Sequence, residues 1–412
     1  MPPRNGLGNT PAAAIWLPML VALLVLACPA AHGQAGMGPG GQGKPPTGFP
    51  AGMPGPQAGQ NPGNVSSNPE ASLQTGIQLT QHGRFPEAIP YLLEARGRVS
   101  APEEFAADFD LSLCYVGTGQ FRKAIPILTA LEKRLPRAAN VENMLAQAYI
   151  GAGEHKKAYD AVRRAAAIEP RNEQLYVLVA DACTESRSYD LGLRVVDLGL
   201  RVLPKSSRLH YQRGIFLSQL ERSELATKEF RLAEKYGSGA AIGSMGAAQA
   251  ALLEGNMPQT IAVARQGLKN SPDNYILLAI LGKALVRSGA SPGQPQFNEA
   301  LKVMEKAVAS QPDHAGSQVT LGKLYLMAGR LDKAIAHLEK ARQLDPKNTS
   351  VYSHLAIAYR RKGNLKKAQE MLATLAHLNE QQVQSYRSSP SGKHKSYVSG
   401  GMAQPPPDIP HL

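Results

Sequence analysis

The sequence predicts an all-α solenoid of about nine stacked helix-turn-helix units, and three observations carry that reading. Prolines fall at Pro136, Pro170 and Pro204 and again at Pro272, Pro312 and Pro346, with steps of 34, 34, 68, 40 and 34 residues. In the same frame, glycine recurs at Gly83, Gly119, Gly153, Gly255, Gly289, Gly329 and Gly363. Between these marks the apolar residues keep the three- and four-residue spacing of amphipathic helices, and no alternating run argues for a strand.

The stretch from Ala315 to Asn348 shows the unit most clearly. Leu321, Gly322 and Tyr325 lie on one helical face, with Leu321 and Tyr325 expected to be buried between the eighth and ninth units, Gly329 interrupts the pattern, Ala334, Leu338 and Ala341 resume it, and Pro346 forbids further helix. Laid over the chain, the pattern gives units starting near Pro69, Phe105, Ala139, Glu173, Ser207, Ala241, Tyr275, Ala315 and Thr349. The first step is 36 residues, the seventh 40 and the others 34. A small residue opens each second helix, where the two helices cross closely: Ala88, Ala124, Ala158, Ala226, Ala300, Ala334 and Ala368, with Gly192 and Thr260 as the exceptions. Arg187 and Glu221 depart from the turn glycine.

The spacing of Leu, Gly, Tyr, Gly, Ala, Leu, Ala and Pro resembles the tetratricopeptide repeat, whose period is 34 residues. The resemblance implies a right-handed superhelix with the first helix of each unit on the concave face. It implies too that a partner peptide or helix lies in that groove, against the second, fifth, ninth and twelfth positions of each unit. On this sequence those positions supply Asn140, Asn143 and Gln147, then Gln174, Asp181 and Thr184, then Arg208, Tyr211 and Ser218. Further on they become Met245, Gln249 and Leu252, then Ile276, Lys283 and Val286, then Val319, Lys323 and Leu326. The first set is the more polar, and its paired amides suit a peptide backbone because each carries both donor and acceptor. The clamp by which some members of the family hold a terminal carboxylate needs lysine at position five, and no unit has it.

The seventh unit contains six extra residues, placed in Ala290 to Gln296, between Gly289 and Ala300. Two prolines and a glycine oppose helix there, so the expectation is a turn enlarged into a loop.

Outside the array, at 69–383, the chain reads differently. Arg4 and the apolar run Ala12 to Ala27, followed by Ala31, His32 and Gly33, read as a secretory signal peptide over residues 1–33, with maturation expected at Gln34. Val25-Leu26-Ala27-Cys28 offers the alternative of lipidation at Cys28, and an uncleaved anchor is a third reading. Residues 34–68 are rich in Gly, Pro and Gln and read as a flexible tether, and residues 384–412, ending near Pro405-Pro406-Pro407, as a disordered tail. An exported location, periplasmic or extracellular and attached to the outer membrane if Cys28 is lipidated, follows as an expectation.

The composition, 43% hydrophobic but 6% aromatic, suits helices packed through small residues. The formal charge of +13 becomes +12 when Arg4 leaves with the signal. Much of the excess is local: Arg360, Arg361, Lys362, Lys366 and Lys367 crowd the last unit, a basic patch suited to an anionic envelope surface, a polysaccharide or an acidic protein. Nucleic acid is not expected behind a signal peptide. Cys114 and Cys183, two units apart, read as buried thiols and not a bridge.

Motifs of catalysis are missing. The ten histidines are scattered, and there is no HExxH, cysteine cluster, P-loop or GxSxG. The reading is therefore a protein-binding scaffold, not an enzyme, needing no cofactor or metal. An assembly factor of the cell envelope, for pilus or exopolysaccharide export, is the alternative.

Overall fold

The computed structural model describes residues 68–388. The expected signal peptide, the Cys28 lipidation, the tether up to residue 67 and the tail beyond 388 lie outside the described residues. The chain divides into two compact units, one ending at Glu229 and the other starting at Phe230.

The first unit contains α1 (Pro69–Gln81), α2 (Phe85–Ala95), α3 (Ala101–Gly117), α4 (Phe121–Arg134), α5 (Ala139–Gly151), α6 (His155–Ile168), α7 (Glu173–Glu185), α8 (Tyr189–Leu200) and α9 (Ser207–Gln219). Helix α10 (Ser223–Tyr236) runs across the boundary. The second unit continues with α11 (Ala241–Leu253), α12 (Met257–Asn270), α13 (Tyr275–Arg287), α14 (Pro295–Ser310), α15 (Ala315–Met327), α16 (Leu331–Leu344), α17 (Thr349–Arg361) and α18 (Leu365–Ser388). No strand occurs among the described residues. Within each unit a helix packs on its predecessor and a second helix on the next first helix, as α4 does on α5 and α16 on α17, which makes an all-α solenoid.

Eight of the nine first helices begin at the residue that the 34-residue register assigns. The exception is α3, which starts at Ala101 and not Phe105. Ser100 and Glu103 form a capping box there, the Ser100 amide donating to the Glu103 carboxylate at 3.0 Å, and this adds a turn ahead of the repeat frame.

The repeated residues have repeated tasks. Ala88, Ala124, Ala158, Ala226, Ala300 and Ala334 are fully buried, and so is Thr260. A Cβ at Gly192 would fall 2.4 Å from the Phe216 ring, so the chain has changed which partner is large while keeping the contact close. The fourth residue of the first helix often ties down the closing proline: Tyr176, His210, Gln318 and Tyr352 bond the carbonyls of Pro170, Pro204, Pro312 and Pro346, six residues earlier. That carbonyl lies in a segment that cannot continue the helix, and a side chain satisfies it.

Three placements differ from the sequence reading. The extra residues of the seventh unit do not all form loop: α14 starts at Pro295, with proline in the first turn where its missing N–H is no loss, so Pro295 and Gln296 are helical. The 16-residue α14 is two longer than α16, and residues 288–294 make up the other four. Tyr325 faces the seventh unit and not the ninth, since its hydroxyl donates to Glu305 on α14 at 2.6 Å while its ring stacks on His337. Finally, α18 runs to Ser388, so residues 384–388, assigned to the tail, are helical. Cys114 and Cys183 are free and buried, as expected.

Candidate functional site

The candidate groove residues sit on the first helices of both units, and the two units treat them differently. In the first, Asn140 is exposed and accepts from the Val141 amide at 2.9 Å. Asn143 and Gln147 are nearly buried: Asn143 Nδ2 donates to the Leu175 carbonyl on α7 at 2.8 Å, and Gln147 Nε2 donates to Asn143 Oδ1 at 2.7 Å. This corrects their expected role, because the two amides bond each other and hold α5 to α7 where the sequence suggested free groups for a peptide backbone.

Carboxylates dominate the remaining polar surface of these helices. Gln174 is half-buried, Tyr211 is buried, and Arg208 is exposed with Nη1 3.8 Å from Glu173. Asp181 accepts from Gln212 Nε2 at 2.5 Å, yet burial outweighs that bond and the nearby Arg208 and raises its carboxyl to about 6. Burial raises Asp110 on α3 to about 7, and burial with the adjacent Asp181 charge raises Glu185 to about 7. Together α1, α3, α5, α7 and α9 carry nine Asp and Glu against two Arg.

The second unit reverses this. Helices α11, α13, α15 and α17 hold no Asp or Glu at all, and their cations are Lys283, Arg287, Lys323, Arg360 and Arg361. Lys283 reaches solvent but is pushed down by burial and by Arg287 beside it. His314, the N-cap of α15, takes the Ser317 amide on Nδ1 at 3.2 Å, and burial and the charge of Lys283 hold its ring below the usual histidine range. His354 on α17 is lowered by burial and by Lys323, with its bond to the Ser350 carbonyl opposing them. Gln249, at the register position of Lys283, has a buried Oε1 without a hydrogen-bond partner.

The carboxylates of the second unit lie on second helices or inter-helix turns and pair elsewhere. Asp273 pairs with Lys306 at 2.8 Å, Asp313 with Lys340 at 2.7 Å, and Glu299 with Arg265 at 2.5 Å. Among the described residues, Lys283 and Lys323 make no ion pair. The imbalance is visible in the sum: residues 68–229 have 21 Lys and Arg against 20 Asp and Glu, whereas residues 230–388 have 20 against 11.

The basic patch at the last turn is exposed throughout. Lys362 pairs with Asp332, Arg361 Nη1 reaches the Leu326 carbonyl at 3.3 Å, and Lys367 lies 5.2 Å from the centre of the Tyr359 ring. Lys362, Lys366, Lys367 and Tyr359 border a shallow open depression of about 610 Å³. The structure thus places Arg361 and Lys362 in structural contacts and leaves Arg360 and Lys366 facing solvent.

The sequence reading missed the opposed charge of the two sets of first helices. Counting carboxylates by helix in the 34-residue frame carries that signal, since it separates first helices from second helices that the total charge merges. Among the described residues no cluster of His, Cys, Asp and Glu forms a metal site, and no helix is long and apolar enough to cross a membrane.

Models of the tetratricopeptide repeat match residues 115–173, 293–349 and 325–388. A peroxisomal targeting signal receptor of Komagataella phaffii is 34% identical over 91 residues, which is 22% of this chain and 14% of that protein, so the match spans about a seventh of the relative's length. Among solved structures, a tetratricopeptide repeat protein from Parabacteroides merdae superposes with a TM-score of 0.42 at 15% identity, covering 70% of this chain and 98% of that one. The APC/C hetero-tetramer Cut9-Hcn1 superposes at 0.48 with 14% identity, covering 79% and 62%. With its 34-residue register, its repeated contacts and these matched segments, the chain belongs to the tetratricopeptide-repeat proteins, whose arrays serve as scaffolds for protein–protein interaction.

Proposed function

We propose that the protein is a non-catalytic scaffold that binds a peptide or helix of its partner along the first helices of the second unit. The observation that carries this reading is the pair Lys283 and Lys323, which occupy the same register position and make no ion pair among the described residues. Lys306 and Lys340 on second helices have carboxylates, whereas the first helices of this unit carry none, so the two lysines on that face are available to an outside group. Val286 and Val319, partly exposed at groove positions on the same two helices, supply apolar contact for side chains. An interface of this kind takes its affinity from buried apolar anchors and its specificity from charge.

Site-directed photo-crosslinking tests the reading. A crosslinker placed at Lys323 on α15 should give partner adducts in an extract, while one at the exposed Lys302 on the second helix α14 should give none. Adducts from Lys302 alone would move the binding surface to the second helices.

Export is part of the same proposal, supported by the apolar run Ala12 to Ala27 and the small residues after it. N-terminal sequencing of exported material should begin at Gln34. A blocked terminus at Cys28 would favour the envelope-anchored assembly factor instead.

A further inference from the structure

We infer that the segment bound by the second unit is an acidic stretch of polypeptide, recognised by a basic first-helix face built from Lys283, Arg287 and Lys323, with the neutral His314 beside them. The inference rests on the groove reading above and adds the chemistry of the partner.

The first step is the distribution of charge. Four helices in succession, α11, α13, α15 and α17, carry five Lys and Arg and no carboxylate, although eleven carboxylates are present in residues 230–388. The carboxylates have been kept on second helices and turns, where Asp273, Glu299 and Asp313 hold Lys306, Arg265 and Lys340. The first-helix cations therefore lack internal neutralisation.

The second step is proximity. Arg287 follows Lys283 by one helical turn, and His314, at the N-terminus of the next first helix, feels the Lys283 charge. Lys323 stands in the same relation to His354 on α17. Like charges gathered on one face, partly shielded from water, repel each other until an anion arrives, and a bound carboxylate relieves that repulsion and gains the attraction of several cations together.

The third step separates an acidic polypeptide from other polyanions. Phosphate backbones are held by dense arrays of Lys and Arg, and single-stranded nucleic acid adds aromatic stacking on the bases. Here the ninth position supplies one lysine on each of α13 and α15, Lys283 and Lys323, and the partly exposed Val286, Val319 and Ile357 occupy other groove positions. Of the aromatic residues on α13, α15 and α17, Tyr325, Tyr352 and Tyr359 are buried, and the half-buried Tyr275 is taken up edge-on by His314 at 5.7 Å between ring centres. Widely spaced charge within apolar surface matches a chain in which Asp or Glu alternates with apolar side chains.

Panning the full chain against a displayed library of random 12-residue peptides tests the inference. Selected peptides should be enriched in Asp and Glu, bind less tightly as salt rises, and lose at least tenfold in affinity in the double variant Lys283→Gln, Lys323→Gln. The second-helix variant Lys269→Gln, Lys302→Gln removes the same charge elsewhere and should leave binding unchanged, and the helical spectrum of both variants should match the parent. Peptides without acidic bias that still depend on Lys283 and Lys323 would overturn the acidic partner and keep the groove. Selected peptides indifferent to the first-helix variant, or an empty selection, would overturn both. A thymidine 15-mer or phosphatidylserine vesicles bound tighter than any selected peptide, with the same dependence on Lys283 and Lys323, would overturn the polypeptide assignment.

Discussion

Arg187 and Glu221 stand 34 residues apart and adopt the same left-handed backbone, with φ of 57° and 59°. The other seven units place glycine there, at φ between 71° and 92°. At both sites the turn closes identically: the Ser188 amide donates to the Cys183 carbonyl and the Arg222 amide to the Leu217 carbonyl, each at 2.8 Å. The contacts of the helix pair thus impose the conformation even where a side chain opposes it.

Replacing either residue by glycine should remove that strain. A left-handed L-residue costs roughly 1–2 kcal/mol, and the loss of the side chain's own interactions offsets part of it, so Arg187→Gly and Glu221→Gly should each stabilise by about 1 kcal/mol. The reverse change Gly153→Ala adds a Cβ that meets no atom within 4 Å, so its effect is backbone strain alone. Urea titration of the three variants checks this, and a destabilised Arg187→Gly would show that its side-chain partners outweigh the strain.

Helix crossing gives a second prediction. A Cβ on Gly322 would lie 2.6 Å from Leu338 Cγ and 3.3 Å from the Ala334 carbonyl oxygen. Leu338 is fully buried and Ala334 is fixed in α16, so neither yields easily. Gly322→Ala should destabilise by about 1–3 kcal/mol despite its better helix propensity, and Leu338→Ala made together with it should be less damaging than the sum of the two single changes. Additive effects in a double-mutant cycle would mean that the helices separate to make room.

The pH dependence should differ in sign between the two units. Asp110 and Asp181 are raised to about 7 and about 6, so their contribution to stability is fully present below the ordinary carboxylate pKa and is lost as pH rises through 6 to 7. His314 and His354 are lowered by burial, so their contribution is present above the ordinary histidine pKa and is lost as pH falls below it. From pH 8 to pH 5, amide protection factors in α3 and α7 should rise while those in α15 and α17 fall. A parallel change in all four helices would refute it.

Much of the fold was legible because one chemical pattern repeats. Eight first-helix starts, the buried alanines and the left-handed turns all follow from residues that recur at fixed spacing. What escaped the sequence was decided by contacts between units. Asn143 and Gln147 read as free amides because nothing local shows that the Leu175 carbonyl, 32 residues away, accepts from Asn143. Tyr325 was assigned to the wrong neighbour because its partner Glu305 belongs to the preceding unit. Site residues follow the same rule: position in the register is visible, whereas the hydrogen-bond partner that removes a side chain from the groove is not.

The seventh unit supplies the last prediction. Restoring the 34-residue period by removing six residues would be mild if all six were loop, because loop length changes stability only slowly, by about 0.6 kcal/mol per doubling. The structure divides them otherwise. Ala290 is 3% exposed and Phe297, in the first turn of α14, is also 3% exposed, so the segment is anchored at both ends. Between the anchors, Ser291 to Gln294 are exposed, and their bonds are local: the Ser291 amide donates to Gln294 Oε1 at 3.0 Å and its hydroxyl to the Gly289 carbonyl at 3.1 Å. Deleting residues 291–294 should therefore leave the midpoint of unfolding within about 1 kcal/mol of the parent. Deleting residues 290–295 removes buried Ala290 and the proline that starts α14, draws Phe297 out of place, and should cost at least 2 kcal/mol on the scale of buried side-chain loss. Equal effects of the two deletions in urea titration would show that the anchors contribute nothing and that the whole insertion is loop.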